Sequence, residues 1–249
     1  MSKRKKKNEA FETLVTIIVF VIEFIFRTIR RIIVLVFDFV TFLTTKYGSK
    51  SGNNFLKTIF DKGNYGEFIL YRKVVRLFGE KSVLTNIYLD NRNTDTTEID
   101  VLAISSKGIY VFEMKNYSGY IYGSEKDKNW TQVLTKWNKY KFYNPLKQNY
   151  AHTKAVENYL GVSDKEIIPL IVFSDRSKLS KINVGVEQNV FQYNSAMKFI
   201  KKYEKKSSKI ITSEQQKTFL IQLLEKCNMS EEVKLKHIED VKELQKQNL

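Results

Sequence analysis

The chain has 249 residues, 43% of them hydrophobic, so it is long enough for one main domain with a full core and an additional tail or anchor. The net charge of +15 favours polyanionic partners, either nucleic acid or anionic lipid. The single cysteine excludes an intrachain disulfide and a thiolate zinc site, and the two histidines, His152 and His237, lack the spacing of a structural zinc site. Any bound metal would therefore have oxygen ligands.

The first predicted element is a long apolar helix that follows a basic tail. Residues 3–7 read Lys-Arg-Lys-Lys-Lys, and Ile, Val, Phe and Leu dominate residues 11–45. Because this stretch is longer than the hydrophobic region of a signal peptide and no small-residue cleavage site closes it, we expect it to stay on the protein. Charged residues interrupt it before about 18 uncharged residues accumulate, which argues against a simple single span.

The polar residues of this helix fall on one narrow stripe. An α-helix turns by about 100° per residue, which places them within an arc of roughly 100° and leaves the remaining surface apolar. Glu23 and Arg27 lie four positions apart, so their charges can neutralise each other. The stripe comprises Glu12, Thr16, Glu23, Arg27, Arg30, Arg31, Asp38, Thr41 and Thr45.

A stripe of this kind is typical of helices that meet lipid. Three arrangements satisfy it: a helix in the membrane interface, a hairpin of two half-spans that turns at residues 27–31, or a bundle such as a homo-oligomer. A helix buried against the following domain is the alternative. We expect membrane association through residues 11–45. By the positive-inside rule, the basic tail predicts that the following domain lies on the cytoplasmic side of the cell membrane.

The rest of the chain predicts an α/β domain. Helical spacing of apolar residues predicts helices over residues 65–78 and 146–160, each ended by a glycine. The predicted strands lie at residues 82–89, 98–105, 109–115, 119–123 and 167–173, with a hairpin turn at 105–108. This order of elements predicts a mixed central sheet flanked by helices.

The composition divides the chain into four predicted parts. They are the tail and membrane-seeking helix (1–45), a polar linker (46–60), the main domain (61–180) and a C-terminal extension (181–249). In the extension we expect an edge strand at 190–192, a helix at 195–203 and two further helices capped by Ser213 and Ser230.

Five polar residues interrupt the apolar pattern of the main domain: Glu67, Asp100, Glu113, Lys115 and Gln148. Alternate residues of a strand share a face, so Glu113 and Lys115 lie on the same side of the sheet. The hairpin turn can bring Asp100 beside Glu113. The neighbours of Glu113 are apolar, which indicates a buried strand where unpaired charge is costly.

Two converging carboxylates point to a bound Mg²⁺ or Mn²⁺, because a hard cation relieves their repulsion. Phosphodiester hydrolysis uses such a metal to polarise a phosphoryl oxygen and to lower the pKa of a water. Lys115 can orient that water and offset the charge that develops on the phosphate. Glu-x-Lys by itself is weak support, because the same tripeptide occurs on many solvent-facing strands.

The residues around these positions resemble the NERD, or nuclease-related domain, family, a branch of the PD-(D/E)XK nuclease superfamily. The resemblance covers residues 61–173. Its motifs are Gly63-x-x-Gly66-Glu67, Glu98-Ile99-Asp100, Gly108-Ile109-Tyr110-Val111-Phe112-Glu113-Met114-Lys115-Asn116 followed by Gly119 and Gly123, and Asn144-Pro145-x-x-Gln148. Ile99 stands where the superfamily name has a proline, a position that varies and contributes no side-chain chemistry.

The resemblance implies a restriction-endonuclease-like fold and metal-dependent hydrolysis of nucleic acid, with DNA favoured over RNA. It implies that Asp100 and Glu113 bind the metal and that Lys115 is the catalytic lysine. Glu67 and Gln148 would help to position metal, water or phosphate, and Glu67 is counted with the metal ligands. Two other classes stay open: a catalytically silent, membrane-tethered nucleic-acid-binding or scaffold protein, and a protein whose N-terminal helix is the main functional element.

Two features of the main domain have two interpretations each. His152 lies one turn after Gln148, and it either faces the same cleft or is an ordinary exposed histidine. A group of aromatic residues interleaved with lysines either forms a stacking and phosphate-binding loop or covers the sheet. The group comprises Trp130, Trp137, Tyr140, Phe142 and Tyr143 with Lys128, Lys136, Lys139 and Lys141.

Overall fold

The computed structural model describes residues 3–90, 96–185 and 187–227, and the chain divides into two units, residues 1–44 and 45–249. The first unit is the helix α1 (Lys3–Thr44). The second unit contains the remaining elements. In chain order these are α2 (Tyr47–Ser51), α3 (Phe55–Phe60), α4 (Lys62–Phe78), β1 (Val83–Asp90), β2 (Thr96–Ser105), β3 (Gly108–Lys115), β4 (Gly119–Ser124), β5 (Asn129–Val133), β6 (Lys139–Tyr143), α5 (Pro145–Leu160), β7 (Ile167–Phe173), β8 (Ser177–Asn183), β9 (Val190–Gln192), α6 (Tyr193–Lys206) and α7 (Ser213–Leu224).

Helix α1 is continuous over its 42 residues, which corresponds to a length of about 63 Å. It passes through residues 27–31 without a turn, so the hairpin of two half-spans, one of the three arrangements left open by the sequence, is not formed. Arg27 and Glu23 form the predicted ion pair at 3.1 Å. Large apolar side chains are exposed along most of the helix, among them Phe20, Phe24 and Phe26. A search of the described residues finds no helix whose length and apolar character suffice to cross a membrane.

The second unit begins with a segment that the sequence analysis assigns to a linker, and this segment is helical. Tyr47 in α2 is fully buried, and its ring lies 5.0 Å from that of Phe68 and 5.1 Å from that of Tyr71. Helix α3 starts at a capping residue, because the Asn54 side chain accepts a hydrogen bond from the Lys57 backbone N–H. Some polar residues of this segment are therefore exposed to solvent, whereas others cap helices or form turns.

Five of the described strands form the main sheet in the order β1-β2-β3-β7-β9. Strands β1, β2 and β3 are antiparallel neighbours, whereas β7 pairs in parallel with β3 and β9 in parallel with β7. The β2–β3 turn falls at residues 106–107, as predicted from the Ser-Ser-Lys-Gly segment. This sheet is the predicted mixed sheet, and its central strand β3 contains two of the five candidate site residues, Glu113 and Lys115.

Helices cover both faces of the main sheet. Val111 of β3 belongs to one core cluster with Val156 and Leu160 of α5. The neighbouring residue, Tyr110, faces the other way, and its ring lies 5.0 Å from that of Phe78 in α4. Because both faces are covered, β3 is buried along almost its whole length.

A second sheet of four described strands, in the order β6-β5-β4-β8, was not predicted. Only β4 was expected among its strands. No strand is predicted within residues 129–143, but these residues form the antiparallel pair β5 and β6. Strand β8 is polar, with the sequence Ser-Lys-Leu-Ser-Lys-Ile-Asn, and it exists through parallel pairing with β4. The protein therefore has two mixed sheets flanked by helices, an architecture that fits a nuclease-like fold.

The C-terminal extension follows the prediction with small changes. Strand β9 has the predicted bounds, and α6 is longer than expected at both ends. Helix α7 is capped by Thr212 rather than Ser213. The Thr212 hydroxyl accepts a hydrogen bond from the Gln215 backbone N–H, and the Gln215 side-chain oxygen accepts one from the Thr212 backbone N–H. The helix expected to begin at Ser230 lies outside the described residues.

Candidate active site

The site begins where the ladder between β2 and β3 ends. At this end of the ladder the last paired residues are Val101 of β2 and Phe112 of β3, and Asp100 immediately precedes Val101. Instead of a backbone oxygen, Asp100 Oδ2 accepts the hydrogen bond from the Met114 backbone N–H, at 2.7 Å. This bond fixes the carboxylate of Asp100 against β3, next to Glu113.

Glu113 is buried with 1% exposure, and both of its carboxylate oxygens have partners. Lys115 Nζ lies 2.6 Å from Oε1, as expected for two residues on one face of a strand. His152 Nε2 lies 2.8 Å from Oε2, and the Thr97 hydroxyl lies 2.8 Å from His152 Nδ1. Glu113 is therefore held between a lysine and a histidine that is itself fixed.

Gln148 reaches the site because the start of α5 is locked in place. The Asn144 side chain caps α5 by accepting from the Leu146 backbone N–H, and its amide donates to three carbonyl oxygens of the loop before β5. Gln148 follows in the first turn, and its Oε1 accepts from Lys115 Nζ at 3.0 Å. The Asn-Pro-x-x-Gln motif thus aims Gln148 at the lysine.

Glu67 enters from the other side, on α4. The preceding residue, Gly66, packs against Asn116, and a Cβ at Gly66 would lie only 2.5 Å from the Asn116 Cβ. The glycine therefore allows α4 to approach the end of β3, where Lys115 precedes Asn116. The Tyr193 hydroxyl donates to the Gly66 carbonyl oxygen at 2.8 Å and holds this turn of the helix.

The site contains one ion pair, Glu113 with Lys115, and two carboxylates, Asp100 and Glu67, whose pKa values are raised. Burial opposes the charge of Glu113, but Lys115 and His152 outweigh burial, so the pKa of Glu113 is lowered. Burial likewise opposes the charge of Lys115, yet Glu113 raises the lysine pKa above its ordinary value. Burial, then Glu113 and Glu67, raise the pKa of Asp100 well above its usual range. Burial, then Glu98 and Glu113, raise the pKa of Glu67 to about 8.

The structure brings all five predicted site residues together. Hydrogen bonds and ion pairs join Glu113, Lys115 and Gln148, and the charges of Glu67 and Asp100 act on each other and on Glu113. Their roles in catalysis or metal binding stay predictions. The prediction that His152 is an ordinary exposed helix residue is wrong, because its side chain is buried with 3% exposure. Its place one turn after Gln148 was the signal for the cleft-facing alternative.

The residues fit a hard divalent cation by the chemistry of their donors. Asp100, Glu113 and Glu67 offer only oxygen atoms. Burial, followed by repulsion from neighbouring carboxylates, raises the pKa of Asp100 and Glu67, and a bound cation would oppose both effects. Within the described part of the chain, no group of three or more His, Cys, Asp or Glu side chains is arranged to hold a metal ion. The fit is therefore to an ion such as Mg²⁺, which is often held by one or two carboxylates together with waters and substrate phosphates.

The aromatic group of the sequence analysis is divided by the fold. Trp130 is fully buried, and its ring stacks on Phe173 with 6.1 Å between centroids. Gly123 makes room for this indole, because a Cβ there would lie 2.3 Å from Trp130. Phe142 packs in the same cluster. These residues cover the sheet, whereas Trp137, Tyr140 and Tyr143 are exposed.

Comparison with known proteins gives the family. The nuclease-related domain (NERD) family matches residues 62–174, which span α4 to the end of β7 and include all five site residues. An uncharacterized protein of Bacillus anthracis is 38% identical over 144 residues, which are 57% of this chain and 67% of that protein. A solved crystal structure of a protein of unknown function is similar over 57% of this chain and 67% of its own, at 18% identity and a TM-score of 0.31. The chain belongs to the nuclease-related domain family, within the PD-(D/E)XK-like nuclease superfamily.

Proposed function

We propose that this protein is a metal-dependent hydrolase of nucleic-acid phosphodiester bonds, with DNA as the favoured substrate. The observation that carries the proposal is the ion pair of Lys115 and Glu113 at 2.6 Å, set beside two further carboxylates whose pKa values are raised. Perturbed, clustered titratable groups of this kind are typical of catalytic sites. The nuclease-related domain and the net charge of +15 agree with a polyanionic substrate.

In this proposal each residue has a defined task. Asp100 and Glu113, assisted by Glu67, hold Mg²⁺ or Mn²⁺. The bound ion supplies Lewis-acid polarisation of the phosphoryl group and lowers the pKa of a bound water. Lys115 stays protonated and places its positive charge where negative charge develops on the phosphate.

Two residues position the lysine and its partner. Gln148 accepts a hydrogen bond from Lys115 Nζ at 3.0 Å, which restricts the ammonium to one place at the end of β3. His152 holds the second oxygen of Glu113 at 2.8 Å. Both act on groups that are already in place before the substrate arrives, which reduces the reorganisation needed during reaction.

The proposal includes association with the cell membrane, with the nuclease-related domain on its cytoplasmic side. The exposed apolar side chains of α1 support it, because a helix with so much exposed apolar surface gains free energy by contact with lipid. The alternative that α1 joins copies of the chain into a homo-oligomer uses the same surface.

The test of the catalytic proposal compares wild type with Asp100→Asn and Lys115→Gln on plasmid, linear duplex, single-stranded DNA and RNA. We expect Mg²⁺- or Mn²⁺-dependent cleavage that EDTA abolishes and that each substitution reduces by about 100-fold or more. Glu214→Ala and Lys217→Ala on the exposed face of α7 are matched controls and should keep wild-type rates. Wild-type cleavage by Asp100→Asn would refute the assignment.

A second readout follows the metal without turnover. Because the ion binds only the folded protein, 100-fold excess over its Kd adds about 2.7 kcal/mol to the free energy of unfolding. Mn²⁺ should therefore raise the Tm of wild type but not of Asp100→Asn. Absence of any metal-dependent shift in wild type would contradict the ligand set.

The competing function is a catalytically silent, membrane-tethered nucleic-acid-binding or scaffold protein. One observation favours it: both oxygens of Glu113 already have partners, in Lys115 and His152, and a metal would have to share them. Nucleic-acid binding without cleavage under every metal condition would support this function instead.

A further inference from the structure

The hairpin of β5 and β6 divides its aromatic side chains between the core and the surface. Trp130 is buried and Phe142 is partly buried in the cluster beneath the hairpin. Trp137, between the two strands, is 84% exposed, and Tyr140 and Tyr143 on β6 are 54% and 46% exposed. The exposed rings are not part of that cluster, so their placement needs another explanation.

The same hairpin is strongly basic. Residues 128–143 contain four lysines and neither aspartate nor glutamate. Lys139 and Lys141 are exposed and separate the aromatic residues along β6, and Lys136 Nζ lies 5.3 Å from the centre of the Trp137 ring. Side chains alternate between the two faces of a strand, so Lys139, Lys141 and Tyr143 share one face of β6, and Tyr140 lies on the other face with Phe142. Exposed rings beside exposed cations complement a chain of bases joined by phosphates.

The hairpin is connected directly to the candidate active site. Strand β6 ends at Tyr143, Asn144 caps the next helix, and Gln148 follows in the first turn of α5. Gln148 accepts a hydrogen bond from Lys115, the candidate catalytic lysine. The last residue of the hairpin, Tyr143, is therefore only five positions along the chain from a direct partner of that lysine. Strand β4, at the other side of β5, begins four residues after Lys115.

We propose that the exposed face of residues 128–143, here called the aromatic–lysine hairpin, binds single-stranded nucleic acid. Bases would stack on Trp137 and Tyr143, and Lys139 and Lys141, on the same face as Tyr143, would meet the phosphates. Tyr140, on the other face of β6, would contact a base only at the exposed edge of this strand. The preference is for a single strand because only unpaired bases present their faces for stacking. The further statement that this strand leads into the active site rests on the proposed function.

Two other occupants fit the surface less well. A second copy could pair with β6, which is at the edge of its sheet in the described part of the chain, but Lys139 and Lys141 on that edge disfavour strand pairing. A lipid surface would contact Leu134 and Trp137, the exposed apolar residues at the hairpin tip, but it would leave Tyr143 at the other end of β6 without a partner. Here the rings extend down to Tyr143 with lysines between them.

The experiment uses the full chain in EDTA, so that binding is measured without cleavage. Fluorescence anisotropy gives the Kd for a labelled 20-nucleotide single strand and for the duplex of the same sequence. We expect wild type to favour the single strand and Trp137→Ala to weaken single-strand binding by about 10-fold, with a larger loss for the triple variant that also carries Tyr140→Ala and Tyr143→Ala. Duplex binding should change by less than about 3-fold.

Tyr150 provides a matched control. Its ring is 64% exposed and has the Lys154 ammonium 5.5 Å from its centre, much as Trp137 has Lys136. It lies two residues after Gln148, which is about 200° around α5, away from the site. Tyr150→Ala should leave single-strand affinity unchanged, and Tm measurements should show all variants folded, because the replaced side chains are exposed.

Trp137 also supplies a direct probe, since the chain has two tryptophans and Trp130 is buried. Single-stranded DNA should quench the fluorescence of wild type but not of Trp137→Ala. Three results would each overturn the proposal: single-strand affinity unchanged in the triple variant, equal losses for single strand and duplex, or Trp137 fluorescence that responds to anionic vesicles and not to DNA.

The outcomes for the hairpin and for catalysis are separable. Quenching and single-strand binding without metal-dependent cleavage would sustain the hairpin and refute the nuclease proposal. Cleavage that requires Asp100, together with unchanged binding by the triple variant, would do the reverse.

Discussion

Glu113 depends on a histidine whose partners are distant in sequence. His152 is 39 residues from Glu113 and 55 from Thr97, yet its two ring nitrogens bridge them at 2.8 Å each. Without the imidazole, one oxygen of a buried carboxylate would lose its donor, which typically costs about 1–3 kcal/mol. We therefore regard His152 as a positioning residue for Glu113 rather than a catalytic group.

At the residue scale, we predict that His152→Ala raises the Mn²⁺ concentration needed for half-maximal cleavage by about 10-fold to 100-fold. His152→Gln can donate one hydrogen bond to Glu113 and should recover part of the loss. Titration of cleavage against Mn²⁺, and of Tm against Mn²⁺, measures the effect. If His152→Ala lowers Tm but keeps the wild-type metal dependence, the histidine is structural only.

The approach of α4 to β3 depends on one glycine. Gly66 contacts Asn116 so closely that any side chain would displace one of the two elements, and the next residue, Glu67, owes its place beside the site to this contact. Gly63, one turn earlier, is less crowded, since a Cβ there would meet the Asp61 carboxylate at 3.1 Å and the Glu67 carboxylate at 4.0 Å, an ordinary contact distance. The same helix therefore contains a sensitive glycine and a tolerant one.

At the element scale, we predict that Gly66→Ala lowers the free energy of unfolding by about 1–3 kcal/mol, because of overpacking, and lowers cleavage by at least about 10-fold. Gly63→Ala, the matched control, should be neutral or slightly stabilising, since alanine is the better helix former. Urea unfolding and cleavage rates check both. Equal effects of the two substitutions would show that the contact with Asn116 is unimportant.

Elements with strong local patterns were predicted well. Helices α4 and α5 and strands β1, β2, β3 and β7 have apolar periodicity and clear end signals within their own residues. Strands β5, β6 and β8 were not predicted. Strand β8 has only two apolar residues, Leu179 and Ile182, and its partner β4 lies more than 50 positions earlier, so nothing local specifies this strand.

For the whole molecule, the chain contains two units with different surfaces. In the described part of residues 45–249, most large apolar side chains are buried in clusters around two sheets. Helix α1 instead exposes isoleucine, valine and phenylalanine along most of its length. Contiguous apolar surface of this extent marks a site of interaction with a membrane or another protein.

At this scale, we predict that the full chain co-floats with vesicles containing anionic lipid and that residues 45–249 alone do not. Ile18 lies opposite the polar stripe and Thr16 lies on it, roughly 200° away around the helix. Ile18→Asp should therefore weaken vesicle binding several-fold more than Thr16→Asp, although both add one negative charge. Vesicle binding by the truncated chain equal to that of the full chain would refute the membrane proposal.

The amino-acid sequence by itself determined the α/β class and the main sheet, because apolar periodicity within about a dozen neighbouring residues specifies their elements. It also singled out the five polar residues that the structure brings together, because each of them interrupts such an apolar pattern. The tertiary structure alone decided that His152 holds Glu113, that Gly66 seats α4 against Asn116, and that the aromatic residues of the hairpin divide into buried and exposed groups. Those three features depend on contacts between segments far apart along the chain, and no local pattern of apolar and polar residues records such contacts.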